Sequence, residues 1–371
     1  MIFRLGELFS GPGGMALGAL KAKVQNGSLY SIDHTWANDF DKSSCETYAK
    51  NICPGSAKTV ICEDVRELDI ESLPPINAFA YGFPCNDFSL VGEKKGFDGK
   101  FGPLYTYGLR VINHFKPKFF VAENVGGLSS SSGGKALEKI LKDLAESGNG
   151  YDITAHLYNA SHYGVPQARN RIIIVGIEKQ LNLTFKVPAP TTKDKPITAF
   201  EALNNPPIEK HAPNNDLTAQ SKTVIERLGY IKPGQNVWNA DLPEHLKLNV
   251  KSAKLSQIYK RLDPNKPSYT ITGSGGGGTH GYHWSEPRAL TNRERARIQS
   301  FPDNFIFAGS KELVRKQVGM AVPPKLAEAV FTAILKTFAG IKYDSVQSNI
   351  DYLNLENPTK RAILKSLELS E

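Results

Sequence analysis

Over about the first 180 residues, short apolar runs alternate with longer stretches of helical periodicity. Residues 1–9, 29–37, 58–62, 78–81, 118–122, 151–159 and 171–177 read as strands. They are brief and apolar, and Gly, Pro, Asn or Asp bound most of them. Residues 15–24, a segment from 42 to about 51, residues 104–114 and a segment ending near 146 carry apolar positions at helical spacing. Strand and helix in regular alternation predict an α/β fold built on a doubly wound, mostly parallel sheet.

The texture changes after about Glu178. Residues 184–290 are rich in Pro, Asn, Lys and Thr, and their periodicity is weak. They predict a second, smaller, irregular domain of short strands and loops. Thr291 and Glu294 have capping-box spacing and open a helix that Phe301-Pro302 ends. Regular helical character returns near Val314, with Gly319-Met320-Ala321-Val322-Pro323-Pro324 in front of a helix to about Phe338. The expected division is 1–183, completed by 314–371, against 184–313. The tail after 341 is polar, with a last helix expected from Pro358.

Charge adds one element to this picture. The chain of 371 residues has a formal net charge of +8, a balance that suits a polyanionic partner. Its cysteines are Cys45, Cys53, Cys62 and Cys85, and no two form a CxxC pair. That spacing argues against a zinc site and fits a reducing cytosol. No apolar run approaches the length of a membrane span, and the N-terminus lacks a signal-peptide layout, so no membrane role is expected.

Chemistry concentrates where the predicted strands end. The run 78–81 leads into Gly82-Phe83-Pro84-Cys85, so Cys85 falls at the carboxyl end of a strand, where ligand crevices of open α/β sheets lie. A buried, inert thiol is the competing reading. Ser10-Gly11-Pro12-Gly13-Gly14 forms a glycine-rich turn between strand and helix, a place where a ligand can approach backbone N–H groups. Asp33 and Asp39 compete for the acidic position after the second strand, which can accept from ribose hydroxyls. The polar segment 86–102 is long for a connection and reads as a lid, with Lys94, Lys95 and Lys100 available to phosphates. The strand at 118–122 delivers Glu123-Asn124, and Arg169-Asn170-Arg171 precedes the strand at 171–177.

FSGPGG, GFPCNDFS, ENV, QARNR, RALTNRERARIQSFP and GMAVPP occur in this order between Phe9 and Pro324. As a set they resemble the motifs of the DNA (cytosine-5-)-methyltransferases of bacterial modification systems. The resemblance implies a methyltransferase-type sheet domain with a small target-recognition domain, and a methyl donor, S-adenosylmethionine. It implies attack by Cys85 on carbon 6 of a flipped-out cytosine, which makes carbon 5 nucleophilic. Glu123 would neutralise ring nitrogen 3 as an acid, and Arg169 and Arg171 would hold the base's carbonyl oxygen and its surroundings. The cofactor set it implies is Phe9, Gly11, Gly13, Gly14, Asp39, Phe40, Asp64, Val65, Pro84, Leu104, Ala321 and Val322. Three positions depart from the family pattern. Met320 stands where Asn is usual, Asn86 follows the nucleophile in place of Gln, and Phe101 precedes Gly102 where Arg is common.

The expected DNA-facing set is Ser89, Lys94, Lys95, Lys100, Thr270, Thr272, Gly276, His280, Tyr282 and His283. Thr270-Ile271-Thr272 resembles the Thr-aliphatic element of the family's recognition domain. The glycine run 273–278 would let backbone groups approach base edges. Double-stranded DNA is the expected partner, a cognate restriction endonuclease acting on the same site a second one, and a monomer the expected state. The expected location is cytoplasmic, at the bacterial nucleoid. A tRNA cytosine-5 methyltransferase is the alternative, but the length of 184–290 favours a reader of duplex DNA. A non-catalytic DNA-binding module is opposed by the intact Cys85, Glu123 and Arg171. A nucleotide-dependent oxidoreductase is opposed by the missing GxGxxG. An amino-methylating enzyme would need an Asp/Asn-Pro-Pro-aromatic turn that 82–89 does not contain.

Overall fold

The computed structural model describes residues 1–84, 104–129, 134–249, 255–273 and 278–350. The chain separates into two compact units. One comprises Met1–Asn159, Asn170–Pro190 and the segment from Pro324 onward; the other comprises Ala160–Arg169 and Thr191–Pro323. The divisions after 190 and after 323 fall later than the sequence pattern suggests, and 160–169 goes with the irregular unit.

The first unit is built on an eight-stranded sheet in the order β2 (Lys23–Asn26), β3 (Ser28–Asp39), β1 (Ile2–Leu8), β5 (Ala78–Gly82), β6 (Phe119–Val125), β8 (Asn170–Glu178), β7 (Tyr151–Asn159), with β4 (Val60–Cys62) also paired to β3. Strand β1 lies parallel between β3 and β5, and β5 lies parallel to β6. Strand β4 is also parallel to β3. Strands β5 and β6 are apolar over nearly their whole length because both faces of a central parallel strand are covered. Phe79, Tyr81, Phe120 and Ala122 bury one face with Val111, Ile112, Ile140 and Leu144. Those partners come from α3 (Tyr105–Phe115) and α4 (Lys135–Glu146). On the far side of β6 the sheet turns antiparallel, through β8 and β7. Helices α1 (Gly14–Lys21), α2 (Lys42–Asn51) and α9 (Pro324–Phe338) complete this unit, together with the small pair β9 (Val187–Pro188) and β10 (Ser345–Val346).

Two local expectations are corrected here. The helix expected over 15–24 stops at Lys21, and Lys23–Asn26 forms β2, an edge strand antiparallel to β3 across Asn26-Gly27. The Asn-Gly pair is a hairpin signal that outweighed the apolar periodicity. Strand β6 does not stop at Ala122; Glu123, Asn124 and Val125 continue the ladder with β8, so the acid sits inside the strand.

The second unit has α5 (Ala199–Asn204), α6 (Lys222–Tyr230), α7 (Asn292–Ile298) and α8 (Lys311–Met320). Thr291 and Glu294 form the expected capping box on α7. Short strands were expected as well; among the described residues this unit has only isolated bridges such as Arg261 with Tyr282. Irregular chain leaves carbonyls without ladder partners, and buried arginines meet that need with their five donors. Arg261 donates to the carbonyls of Leu228, Ile231, His283 and Glu286. Arg293 donates to those of Pro213, Pro302 and Phe305.

The segment Lys311–Phe338 is long and apolar enough to pass for a membrane span. It is two helices, α8 and α9, separated by Ala321-Val322-Pro323, and neither reaches 18 residues.

Strand β7 would leave a bare sheet edge, but the chain returns to cover it. Asn349 accepts from the Leu157 N–H at 2.8 Å and donates to its carbonyl at 3.0 Å, and Ile350 buries its side chain in the main core. Asn349→Ala should therefore cost about 1–3 kcal/mol, the range for buried backbone groups losing their partner. Urea unfolding of the full chain measures it, and an unchanged midpoint would show that the edge does not need this clamp.

Candidate active site

The glycine turn follows β1 directly. Phe9, Gly11 and Gly13 all have positive φ, and Gly13 at 93° is the cap of α1, where no side chain closes the helix end. A side chain at Gly13 would also collide with Ile52 and Tyr48 of the helix below. The turn is held by Asp39 at the end of β3. Its Oδ2 accepts from the Gly11 N–H at 2.8 Å and its Oδ1 from the Asp41 N–H at 2.9 Å, and the residue is 9% exposed. Phe40, next in sequence, is 71% exposed, an unusual fate for so large an apolar ring. Asp33 lies earlier on β3 with its side chain in solvent, so of the two competing acids Asp39 is the one at the glycine turn.

Asp64 and Val65 follow β4. Asp64 pairs with Arg66 at 2.5 Å, and the hydrogen bonds from Arg66 hold its carboxyl down at about 2. Val65 is buried in the main core, and Leu104, the cap of α3, packs against that core. Pro84 is half-buried.

The centre of the sheet's carboxyl end holds Glu123 and Arg171. Val125 is the register partner of Arg171 across β6 and β8, which brings the two side chains together. Arg171 Nε lies 2.9 Å from Glu123 Oε1, with both side chains nearly buried, and Arg171 Nη1 donates to the Asn170 carbonyl at 2.6 Å. Gly82 is in register with Glu123 on the other side, and a Cβ there would stand 3.2 Å from Glu123 Oε2. The chain leaves β5 at that glycine, three residues before Cys85. Asn124, buried on β6, donates through Nδ2 to the Phe83 carbonyl at 3.0 Å and so fixes the direction in which the chain leaves the strand. Motif reading had quoted Asn124 without a role; a polar residue inside an apolar strand was the available signal. Cys85 itself, with Ser89, Lys94, Lys95, Lys100 and Gly276, lies outside the described residues.

Arg169 does something different from what its motif implied. It is 2% exposed and belongs to the irregular unit. Its Nη1 donates to the Ile271 carbonyl at 3.1 Å, and its Nη2 to those of Gly319 at 2.7 Å and Ala321 at 3.3 Å. Its guanidinium thus holds three backbone carbonyls, a structural task. Thr270 donates to the Ala168 carbonyl at 2.9 Å, and the Ile271 N–H donates to Gln167 at 2.9 Å. Thr272 is half-buried beside them. Ala321 and Val322 are buried at the end of α8.

Two of the expected base-reading side chains are turned inward. Tyr282 is 1% exposed, stacks on Tyr259 at 5.5 Å between ring centroids and belongs to the small core around Leu228 and Leu246. His283 is buried, stacks on Trp284, and accepts through Nδ1 from the N–H groups of Ser285 and Glu286. In a domain this poor in regular structure the aromatic cluster is needed as core. His280 is half-buried, and burial and then Arg315 and Arg295 bring its imidazole down to about 4, so it is neutral at pH 7.

The comparisons with known proteins agree with this geometry. Residues 3–336 match the model of the C-5 cytosine-specific DNA methylases. The chain belongs to this family. It is a DNA (cytosine-5-)-methyltransferase. Among its relatives, the type II methyltransferase M.BbvI of Brevibacillus brevis is 56% identical over 95% of this chain and 96% of its own length. The type II methyltransferase M.NgoFVII of Neisseria gonorrhoeae is 40% identical over 90% of this chain and 86% of its own. A prophage-encoded protein of Escherichia coli, described as a DNA modification methyltransferase, has a solved structure. It superposes with a TM-score of 0.69 at 25% identity, covering 91% of this chain and 99% of that one. The S. pombe Dnmt2 methyltransferase shares the fold, with a TM-score of 0.54 at 16% identity. The tRNA alternative gains no support from so distant a likeness.

With Tyr282 in the core, Tyr282→Ala should act on stability, costing about 3–5 kcal/mol as for other buried aromatic truncations. Thermal unfolding checks it. A variant as stable as the parent but altered in target preference would restore Tyr282 as a reader.

Proposed function

We propose that this enzyme takes its methyl group from S-adenosylmethionine and places it on carbon 5 of a cytosine flipped out of a specific duplex DNA site, with Cys85 as nucleophile. The observation that carries the assignment of residues is the Glu123–Arg171 pair at the mouth of β5 and β6, with Glu123 Oε2 against Gly82, three residues upstream of Cys85. An acid and a guanidinium side by side can hold the ring-nitrogen edge of cytosine and its carbonyl together. The Cys85 thiolate adds to carbon 6, and Glu123 neutralises the charge that develops at nitrogen 3. Carbon 5 then takes the methyl group, loses its proton, and the carbon–sulfur bond breaks to return the thiolate. A cysteine suits both ends of this sequence because it attacks at neutral pH and also leaves. Asn124 holds the Phe83 carbonyl and would keep the strand exit, and Cys85 beyond it, in place.

The residues around the glycine turn fit the donor. The Asp39 carboxylate, tied to the turn, is placed to accept from ribose hydroxyls, and the exposed Phe40 ring offers a face to adenine. Phe9, Gly11, Gly13 and Gly14 supply open backbone at a helix N-terminus, and Gly11 has no neighbour within 4 Å of a Cβ position. Asp64, Val65, Pro84, Leu104, Ala321 and Val322 keep the cofactor assignment on their motifs alone. The donor supplies a methyl group activated on a sulfonium.

The sheet unit carries the chemistry in this reading and the irregular unit reads DNA. In the latter, Thr270, Thr272 and His280 remain candidate readers, while Tyr282 and His283 are left out. Ser89, Lys94, Lys95, Lys100 and Gly276 keep the DNA-facing assignment that the sequence suggests. The type II names of the relatives support a cognate restriction endonuclease sharing the site. They also support a cytoplasmic enzyme; a monomer working on nucleoid DNA is carried over from the sequence reading.

The test is chemical. Duplex DNA carrying 5-fluorocytosine at the target should trap the wild type covalently, since fluorine cannot leave as a proton does. Cys85→Ala should bind duplex yet neither trap nor methylate. Trapping by the alanine variant would end the nucleophile assignment. On the donor side, Phe40→Ala should weaken S-adenosylmethionine binding by about 0.5–1.5 kcal/mol, the value of an aromatic stack. Calorimetry that shows equal affinity would remove Phe40 from the adenine site.

A further inference from the structure

Glu7 is buried in β1, two residues before the glycine turn begins at Phe9, and plays no part in the chemistry above. Its Oε2 lies 3.0 Å from the Tyr48 hydroxyl of α2. That hydroxyl lies 3.2 Å from His34 Nδ1, and His34 Nε2 lies 2.8 Å from Thr59 Oγ1. Thr59 in turn donates to the Ser56 carbonyl at 2.7 Å. The protons along this chain can be counted. A carbonyl only accepts, so the Thr59 proton is spent on Ser56. Thr59 must then accept from His34 Nε2–H. Burial brings the His34 imidazole down to about 4, so at neutral pH it carries one ring proton and Nδ1 is bare. Tyr48 therefore donates to Nδ1, and the contact between Tyr48 and Glu7 needs a proton from Glu7.

We infer that Glu7 is a neutral carboxylic acid and a positioning residue for the glycine turn, fixing Tyr48 beneath Gly13 through this one-way chain. The Tyr48 ring lies 3.0 Å from where a Gly13 Cβ would be and Ile52 lies 2.8 Å from it, so the ring and Ile52 together set the height of the turn. The inference rests on the reading that this turn holds the methyl donor. Burial, which outweighs the hydrogen bond that Tyr48 would give the anion, pushes the Glu7 carboxyl up from 4.5 to about 8, with Asp39 adding to the rise. The titratable groups facing it are Tyr48 from α2 and Asp39 from β3. Behind these stand His34, and Cys53 after α2 toward Tyr48. Ionisation of Glu7 would reverse every hydrogen bond out to Thr59, break the Thr59–Ser56 bond, and set a second negative charge near Asp39, the carboxylate that holds Gly11.

The experiment is calorimetric titration of the full chain with S-adenosylhomocysteine at steps from pH 7 to pH 9, for wild type, Glu7→Gln and Tyr48→Phe. If the proton held at about 8 is required, the wild-type Kd should rise about tenfold more than that of Glu7→Gln over this interval. The amide donates to Tyr48 as the acid does, and titration of the ligand's own amino group is common to both proteins. Tyr48→Phe removes a hydrogen bond that favours the anion, so it should move the wild-type loss to higher pH. Parallel curves for wild type and Glu7→Gln, or an unmoved midpoint in Tyr48→Phe, would overturn the inference. Wild type that fails to bind at pH 7 would instead sink the donor reading, and thermal unfolding then decides on Glu7. The folded acid keeps its proton to about 8 and the unfolded one loses it near 4.5, so its stabilisation is complete below 4.5 and gone above 8. The wild-type Tm should fall across that window relative to Glu7→Gln; equal slopes would again overturn the inference.

Discussion

The sheet order is the constraint on which the rest depends. The chain leaves β1 to one side to make β3, then crosses back to place β5 on the other side of β1. The connections after β1 and β5 therefore part from each other at the carboxyl edge and leave a crevice there, the switch point where α/β sheets bind ligands. β1 ends at the glycine turn, β3 at Asp39, β5 at Gly82 and β6 in Glu123-Asn124-Val125. All four are parallel, so the sheet brings their ends to one edge without any loop having to find its place. The antiparallel strand β8 is the exception that completes the set. Because it runs the other way, its beginning lies at that same edge, and Arg171 can meet Glu123.

The two units solve the problem of buried polar backbone by different means. In the sheet unit the ladders satisfy the backbone, and buried side-chain polar groups are then free for special tasks: Asp39 on the glycine turn, Asn124 on the strand exit, Glu7 and Tyr48 beneath the turn. In the irregular unit the arginines take over the ladder's work. Arg169, Arg261 and Arg293 each cap several carbonyls from distant parts of the chain, and burial penalises the charge of Arg261 and Arg293 by lowering their affinity for the proton. Desolvating guanidinium is costly, but unpaired carbonyls in the same places would cost more.

This difference explains what could be read from the sequence. Strand–helix alternation, the capping box at Thr291 and the apolar centres of β5 and β6 are local signals, and they appeared where expected. So did the placement of Asp39 and Arg171 at strand ends, whereas Glu123 lies two residues inside the end of its strand. The edge strand β2 was missed because four polar and apolar residues after a helix look like its last turn until the Asn-Gly hairpin is weighed. The burial of Tyr282 and His283 was not legible, because an aromatic-rich stretch after a glycine run looks like a recognition loop when nothing marks it as core. Only the long-range partners, Tyr259 and Leu246 for Tyr282, decide the matter, and no period in the chain announces them. Glu7 carried a signal of its own: an acid near the end of a strand whose last four residues are buried is either paired or protonated.

The motif QARNR shows why a family pattern assigns roles less finely than geometry does. The division between the units falls inside it, between Arg169 and Asn170. Gln167 and Arg169 lie before the strand and hold Ile271, Gly319 and Ala321 within the irregular unit. Arg171 lies on β8 and faces the acid of the sheet unit. Two arginines separated by one residue would share a face if both belonged to the strand. The ladder with β7 ends at the Asn159–Asn170 pair, however, and Arg169 has already left it to receive the Ala160 N–H on its carbonyl. Five consecutive residues thus hold irregular chain at one end and pair with Glu123 at the other. In the proposed mechanism, loss of activity on changing Arg169 would report on the scaffold and loss on changing Arg171 on the chemistry, and a stability measurement beside the rate separates the two.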